Sequence, residues 1–260
     1  VNKFLYNLIG KLIPWGIPIL LIIVWQVFSK EGIVSSKILP APSDVFVAAV
    51  KLAETGELGH HVWVSLWRAL TGFLIGGSIG FVLGLLNGLF RSSELLLDTS
   101  VQMLRNIPHL ALIPLVILWF GIGEEAKIFL VSLGVLFPVY LNTYHGIKSV
   151  DKGLIEMGKI YGLKGFSMFS HIIFPGALSS ILVGIRFSLG VMWITLIVAE
   201  TISSTSGIGY MAMTAREFMQ MDVILLSILL YALFGKLSDA IARFFEKRWL
   251  KWHTSYQEHS

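Results

Sequence analysis

The chain has 260 residues, 55% of them hydrophobic and only 14% charged, with a mean hydropathy of +0.76. Soluble domains carry nearer a quarter charged residues, so this composition excludes an ordinary soluble domain and defines an integral membrane protein. Cysteine is absent, which excludes a disulfide framework, a thiol nucleophile and a Cys-ligated metal site. The net charge of +4 does not signal nucleic acid, because the basic residues gather at the ends of apolar runs, where membrane topology accounts for them.

Six apolar runs are long enough, or nearly so, to cross about 30 Å of hydrocarbon: roughly 12–28, 65–90, 103–122, 126–147, 176–199 and 223–245. Gly/Pro-rich runs without two-residue alternation are helices, so the expected fold is all-α and polytopic, with six transmembrane helices. Leu12 to Phe28 resembles a signal-peptide core, but it is long, contains proline and lacks a small-residue cleavage site; it is read as a retained first span. Residues 1–13, 91–105, 146–171 and 236–260 hold 13 Lys and Arg, against 6 in residues 29–68, 121–127 and 200–222. The richer side is expected in the cytoplasm, and both termini with it.

The external segment 29–62 contains Ile38-Leu39-Pro40-Ala41-Pro42-Ser43. Ser43 is placed to cap a helix from Asp44 to about Thr55, whose Val45, Phe46, Ala49 and Leu52 would let it lie on the membrane surface. His60 and His61 are adjacent, so on a helix they point about 100° apart, and no acidic cluster is near; no metal site is expected. The second span carries Gly72, Gly76, Gly80, Gly84 and Gly88 in steps of four. Each costs about 1 kcal/mol of helix propensity against alanine, which implies a compensating close approach of another backbone. The stripe winds about 160° round its helix, which suits one neighbour crossing at a right-handed angle or two successive neighbours.

The third span is expected to begin at Arg105-Asn106 and to contain Pro108 and Pro114, whose freed carbonyls must face protein or a water-filled path. His109 is read as a satisfied polar residue at its cytoplasmic end. The fourth span ends in Asn142, Tyr144 and His145, an ordinary polar belt at the cytoplasmic interface.

Between the fourth and fifth spans lies a basic loop, Lys148 to Pro175, with Lys148, Lys152, Lys159 and Lys164. Asp151 can cap a first short helix, Gly162 can end it in a left-handed conformation, Gly165 loosens the bend, and Pro175 closes the second helix or opens the next. Leu154, Met157 and Tyr161 share one face of the first helix, and Phe166, Phe169 and Ile173 share one of the second. A loop with its own apolar stripe is built to press against something.

Arg186 lies eleven residues beyond Pro175, about 16 Å into the fifth span. A charge there costs roughly 2.5–3.5 kcal/mol on insertion scales, so it should face protein or water. Two readings stay open: it attracts an anionic substrate, or it holds helices together. Glu200, at the external end of the span, is its expected distant counter-charge. The segment from Glu200 to Asp222, with Ser203-Ser204-Thr205-Ser206-Gly207-Ile208-Gly209, either dips back into the bundle as a gate or simply joins two spans. The last span has Lys236, Asp239 and Arg243 on one face of its cytoplasmic end, with Trp249 and Trp252 beyond at the interface.

No Gly-x4-Gly-Lys-[Ser/Thr] phosphate loop, nucleophile elbow, zinc-protease pair or intramembrane carboxylate pair is present. The chain is therefore not expected to be an enzyme or to bind a cofactor. Scarce acidic residues in the spans argue against a proton relay, and no repeat relates the halves. Any energy for pumping must come from another protein, and the 148–175 loop is the docking surface for one.

That loop resembles the coupling-helix signature of bacterial ABC importer permeases: Glu-Ala-Ala, three residues, Gly, nine residues, Ile-x-Leu-Pro. Glu156, Gly162, Ile172 and Pro175 match it in kind and spacing, while Met157-Gly158 stand for the two alanines and Phe174 for the leucine. Ile38 to Ser43, Arg105 to His109, Ile117 to Gly123 and Ala199 to Gly209 are similar to the nitrate/sulfonate/taurine permease group, and Gln102–Gly121 and Trp193–Thr201 look most like its aliphatic sulfonate branch. The resemblance implies a type I importer permease (MetI-like) fold over residues 1–260, with a core of about 61–245. It implies a homodimer in the bacterial cytoplasmic membrane, cytoplasmic ATPase subunits that carry ATP and Mg, and an external solute-binding protein. The expected cargo is an aliphatic sulfonate; alternatives are taurine, nitrate or another small anion on the same machinery, or a passive channel or membrane anchor. The implied coupling residues are Glu156, Met157, Gly158, Tyr161, Gly162, Phe166 and Pro175; the candidate path residues are Arg105, Arg186 and Glu200.

Overall fold

The computed structural model describes residues 3–250, and of residues 3–15 and 203 only the backbone. Trp252, expected at the interface, lies outside the described residues. The helices are α1 (Lys3–Lys30), α2 (Pro42–Glu54), α3 (Glu57–Leu89), α4 (Arg91–Arg105), α5 (Ile113–Phe120), α6 (Glu124–Lys148), α7 (Lys152–Ile160), α8 (Gly165–Met168), α9 (Phe174–Ser203), α10 (Ile208–Glu217) and α11 (Met221–Trp249). No strand occurs among the described residues. Among the described residues four helical segments are long and apolar enough to cross a membrane, containing α3, α6, α9 and α11, and the α4–α5 pair adds a fifth if its two bent halves count as one span. Gly16–Lys30 is a shorter apolar helix.

The core is built on α6. In its most apolar stretch 61% of residues are buried within the chain, against 28% for α3 and 17% for α11, so α6 is central and the other two present broad outer faces. The glycines of α3 allow this. A Cβ at Gly72 would lie 2.6 Å from Val131 Cγ1, at Gly84 2.7 Å from Thr143 Cβ, and at Gly88 2.8 Å from Ile147 Cδ1. At Gly76 and Gly80 it would collide with the backbone of Ser132 and Leu136. Both helices advance in the same direction and by matching steps, so one neighbour follows the stripe along its whole length. A contact repeat of four, longer than the 3.6-residue turn, demands that the pair wind right-handedly. On the other side α9 runs antiparallel: Gly146 meets Ala177 and Ser180, Gly184 meets Asn142 and Pro138, and Gly134 meets Thr195.

The third span differs from its expected form. It is not one helix from residue 103 but a broken pair, Arg91–Arg105 and His109–Phe120, bent by 79°. Pro108 precedes a single 3-10 turn at His109–Leu112 and Pro114 sits in the first turn of α5, so both prolines start helical pieces where their missing N–H costs nothing. His109 accordingly is half-buried beside Gly134 in the middle of α6, not at the end of the bundle that carries the 148–175 loop. The helix expected from Asp44, α2, also starts earlier than expected. Pro42 opens it, and Asp44 accepts from the Ala41 N–H at 3.3 Å, while Ser43 instead exchanges hydrogen bonds with Gln26 of α1.

Between α9 and α11 the chain turns back into the bundle. Ile208, Met211 and Ala215 of α10 are buried, and the first two join the core cluster of Ala69, Val131, Val135, Met192 and Leu196. The segment that sequence reading left open therefore dips inward, because the apolar side of α10 has no other place to be buried.

Candidate functional site

The 148–175 loop folds as two short helices. Asp151 Oδ1 accepts from Gly153 N at 2.6 Å and Leu154 N at 3.3 Å, capping α7. At the other end Gly162 has φ +82, and two bonds close the helix: Gly162 N to Lys159 O at 3.0 Å and Leu163 N to Gly158 O at 2.9 Å. This pair satisfies carbonyls that would otherwise be orphaned, and only a left-handed residue permits it. Gly165 is also left-handed, α8 passes through one π turn at Phe169–Ile173, and Pro175 lies in the first turn of α9.

The stripe expected on the loop divides into an inward and an outward part. Gly158 is buried, and a Cβ there would reach the side chains of Met168 and Ile172, so α7 packs on α8 through its smallest residue. Ile160, Tyr161 and Phe166 are 85%, 79% and 80% exposed, with Leu154 and Met157 about half exposed beside them. Glu156 is exposed and makes no ion pair among the described residues. Aromatic and aliphatic side chains this exposed, next to an uncommitted carboxylate, have the anatomy of a docking surface.

The loop is tied to the foot of α4. Lys148 Nζ donates to Glu94 Oε2 at 2.7 Å and Tyr144 Oη to Glu94 Oε1 at 2.6 Å. Further in, Tyr140 Oη donates to Asp98 Oδ1 at 2.7 Å and accepts from Asn87 Nδ2 at 2.8 Å. A displacement of the loop thus has a polar, directional connection to the broken span.

At the end of the bundle opposite the 148–175 loop the structure assembles an ionic network, buried at Arg68, Lys127 and Glu200 and half exposed at Glu124, that sequence reading missed. Arg68 is fully buried and makes a bidentate pair with Glu124, Nε to Oε2 at 2.5 Å and Nη2 to Oε1 at 2.6 Å. Its Nη1 donates to Glu200 Oε1 at 2.8 Å and to the Ser206 carbonyl at 2.6 Å. Glu200, also buried, accepts from Ser65 Oγ at 2.8 Å, Gly209 N at 2.9 Å and Tyr231 Oη at 3.0 Å. Lys127, 2% exposed, lies 3.4 Å from Glu124 Oε1. Two cations therefore meet two carboxylates, so the buried charges of Arg68, Lys127 and Glu200 are balanced, with the half-exposed Glu124 completing the neutral set. His61 Nδ1 accepts from Gly207 N at 3.1 Å. Gly207 has φ +110, and a Cβ on it would strike the Glu200 carboxylate; the loop can reach this anchor only as glycine.

Glu200 is thus the counter-charge of Arg68, not of Arg186. Arg68 and Lys127, counted with the external loops, are interior residues. The signal available in the sequence was an arginine within the apolar run of α3, paired with acidic residues at the outer ends of two other spans.

Arg186 faces α11. Its Nε donates to Asp239 Oδ1 at 2.6 Å and its Nη1 to Glu246 Oε2 at 3.4 Å, while Arg243 pairs with Asp239 from the next turn. Two arginines again balance two carboxylates. The adjoining 470 Å³ groove is otherwise walled by apolar residues such as Val183, Phe187 and Ile194. Arg105, in contrast, is exposed at the tip of α4 and makes no hydrogen bond or ion pair among the described residues.

A parallel, glycine-packed helix pair, an exposed double-helical loop and a helix turned back into the opposite end of the bundle fit a membrane transport subunit. A family profile described as "Binding-protein-dependent transport system inner membrane component" matches residues 76–251, and the chain belongs to that family. It is a multi-pass inner-membrane permease. The chain is 59% identical over 95% of its length, and 94% of the relative's, to a protein of Escherichia coli (strain K12) named as an aliphatic sulfonates transport permease protein, SsuC. Identity is 45% to the correspondingly named protein of Bacillus subtilis (strain 168), over 93% of this chain and 87% of that one. To the taurine transport system permease protein TauC of Escherichia coli it is 33%, over 91% and 88%. Among solved structures, an amino acid ABC transporter with histidines matches at TM-score 0.65 and 18% identity, covering 78% of this chain and 98% of that one. The inward-facing methionine transporter MetNI matches at TM-score 0.58 and 19% identity, covering 74% and 97%. These structural likenesses establish the fold: a MetI-like ABC importer permease.

Proposed function

We propose that this chain is the transmembrane subunit of an ATP-binding-cassette importer that carries aliphatic sulfonates across the cytoplasmic membrane. The observation that carries the cargo is the 59% identity, end to end, with a protein named for aliphatic sulfonates. Taurine is the second reading, at 33% identity, and it keeps the same machinery. The chain itself catalyses no reaction and binds no cofactor; ATP and Mg belong to a separate cytoplasmic ATPase. The functional unit is a homodimer in the lipid bilayer, with both termini of each chain and the 148–175 loop in the cytoplasm and a solute-binding protein outside. Residues 1–260 form one permease domain with its core at about 61–245 and an external segment at 29–62.

In this reading Glu156, Met157, Tyr161 and Phe166 seat in the ATPase, while Gly158, Gly162 and Pro175 hold the shape of the seat. Closure of the ATPases pulls the loop, and the Lys148–Glu94 and Tyr140–Asp98 bonds carry that pull to α4. The glycine-packed α3–α6 pair moves as one body, as tight backbone packing dictates. Growth of a host on an alkanesulfonate as sole sulfur source tests the cargo: it should vanish on deletion of this chain and not be restored by a taurine system. In liposomes, loaded binding protein should stimulate ATP hydrolysis by the complex; a solute leak without nucleotide would instead identify a channel.

A further inference from the structure

The broken third span places one cation where the membrane tolerates it least. Glu94 of α4 pairs with Lys148 at the end of α6, Asp98 with Tyr140, and Val101 packs beside Phe137 and Tyr140. Beyond the break, His109 Nε2 lies 3.0 Å from Thr195 Oγ1 and borders Gly134. α4 therefore climbs along α6 from its cytoplasmic end. Arg105 lies eleven residues past Glu94 on α4, about 16 Å of helix, which puts it about 16 Å above the Lys148 level, inside a core about 30 Å thick.

At that depth residues 103–108 are all exposed on the surface of the chain, and the backbone turns through 79°. Only two short turn bonds bridge the corner, Asn106 N to Met103 O at 3.2 Å and Ile107 N to Leu104 O at 3.1 Å. Bare non-helical backbone and an unneutralised guanidinium are tolerated within the bilayer only where they line protein or water. Arg186, at comparable depth from its own end, is already neutralised by Asp239 and Glu246 and has no charge to offer an anion.

We propose that Arg105, at the break between α4 and α5, is the mid-membrane contact for the sulfonate group of the passing solute, and that Arg186 serves only to join α9 to α11. This rests on the sulfonate-importer reading above. A sulfonate stays ionised across the physiological pH range, and a guanidinium fork matches its oxygens. A single exposed arginine holds such an ion long enough to guide it and weakly enough to release it. Because α4 is tied at its foot to the coupling loop, the contact would also move with each ATPase cycle.

The test uses the complete complex of this chain with its ATPase and binding protein in liposomes, with labelled ethanesulfonate as solute. Arg105→Gln should lower the sulfonate moved per ATP hydrolysed by about tenfold or more, and Arg105→Lys should recover most of it. Copurification of the ATPase checks that each variant is folded. The chain has no cysteine, so Arg105→Cys introduces one thiol, read on this chain alone. That thiol should react with the anionic reagent sulfonatoethyl methanethiosulfonate. Reaction only with a lipid-soluble maleimide would overturn the placement on an aqueous path. Unchanged sulfonate per ATP in Arg105→Gln, with a wild-type complex that transports, overturns this contact alone. A wild-type complex that moves no alkanesulfonate overturns the cargo reading, and this contact with it.

Discussion

Replacing Glu200 by alanine should release the segment 204–217 that turns back into the bundle. The carboxylate is the shared acceptor of Ser65 Oγ, Arg68 Nη1, Gly209 N and Tyr231 Oη, and it is buried, so no water replaces it. Hydrogen bonds between membrane helices average about 0.6 kcal/mol, which for these four donors amounts to about 2.4 kcal/mol. Removing one partner of a buried ion pair costs about 3–5 kcal/mol in soluble proteins. Here Arg68 keeps its bidentate grip on Glu124, so the smaller figure governs. A loss of about 2–3 kcal/mol raises the local opening equilibrium roughly 30- to 150-fold, since about 1.4 kcal/mol is tenfold. Hydrogen–deuterium exchange of peptides spanning residues 204–217, in nanodiscs, reads this directly. Exchange there within twofold of the wild type, in a variant that still folds, would refute the assignment of Glu200 as the anchor.

Three further outcomes are expected. Gly76→Val should lower the melting temperature by about 5–10 °C, because its side chain enters the Ser132 backbone, whereas Gly77→Ala, whose Cβ would lie 3.8 Å from Val135, should shift it by no more than about 2–4 °C. Equal effects at the two positions, read by thermal unfolding in detergent, would contradict one-sided packing on α6. Glu156→Lys or Gly162→Val should cut copurification of the ATPase about tenfold with the permease still inserted, the first by reversing a charge on the exposed face, the second by straining the left-handed turn at φ +82. Normal copurification of either variant would remove the loop from the docking role. Arg186→Ala should destabilise by about 3 kcal/mol, since it takes the guanidinium from buried Glu246, whose Oε1 already lacks a partner among the described residues. Glu246→Gln in the same chain should recover at least half of the lost thermal stability; an additive further loss would show that the pair is not the cause.

The sequence by itself determined the membrane class, because hydrophobic fraction and run length act locally and need no partner. It also determined the local chemistry of the 148–175 loop. Asp151 and Gly162 start and stop α7 through bonds made within a few residues, so their roles could be read before any packing was known. The same holds for the glycine spacing, which announced a close neighbour without naming it. Tertiary structure alone decided that α6 is that neighbour, since periodicity records the width of a contact face and not what lies across it. Only tertiary structure also paired the charges. Arg68, Glu124 and Glu200 stand 56 and 132 residues apart in the chain and meet only because α3, α6 and α9 bring their outer ends together. By the same physics Arg186 found Asp239 on α11, and Arg105 was left alone at a corner that two prolines permit but do not by themselves aim.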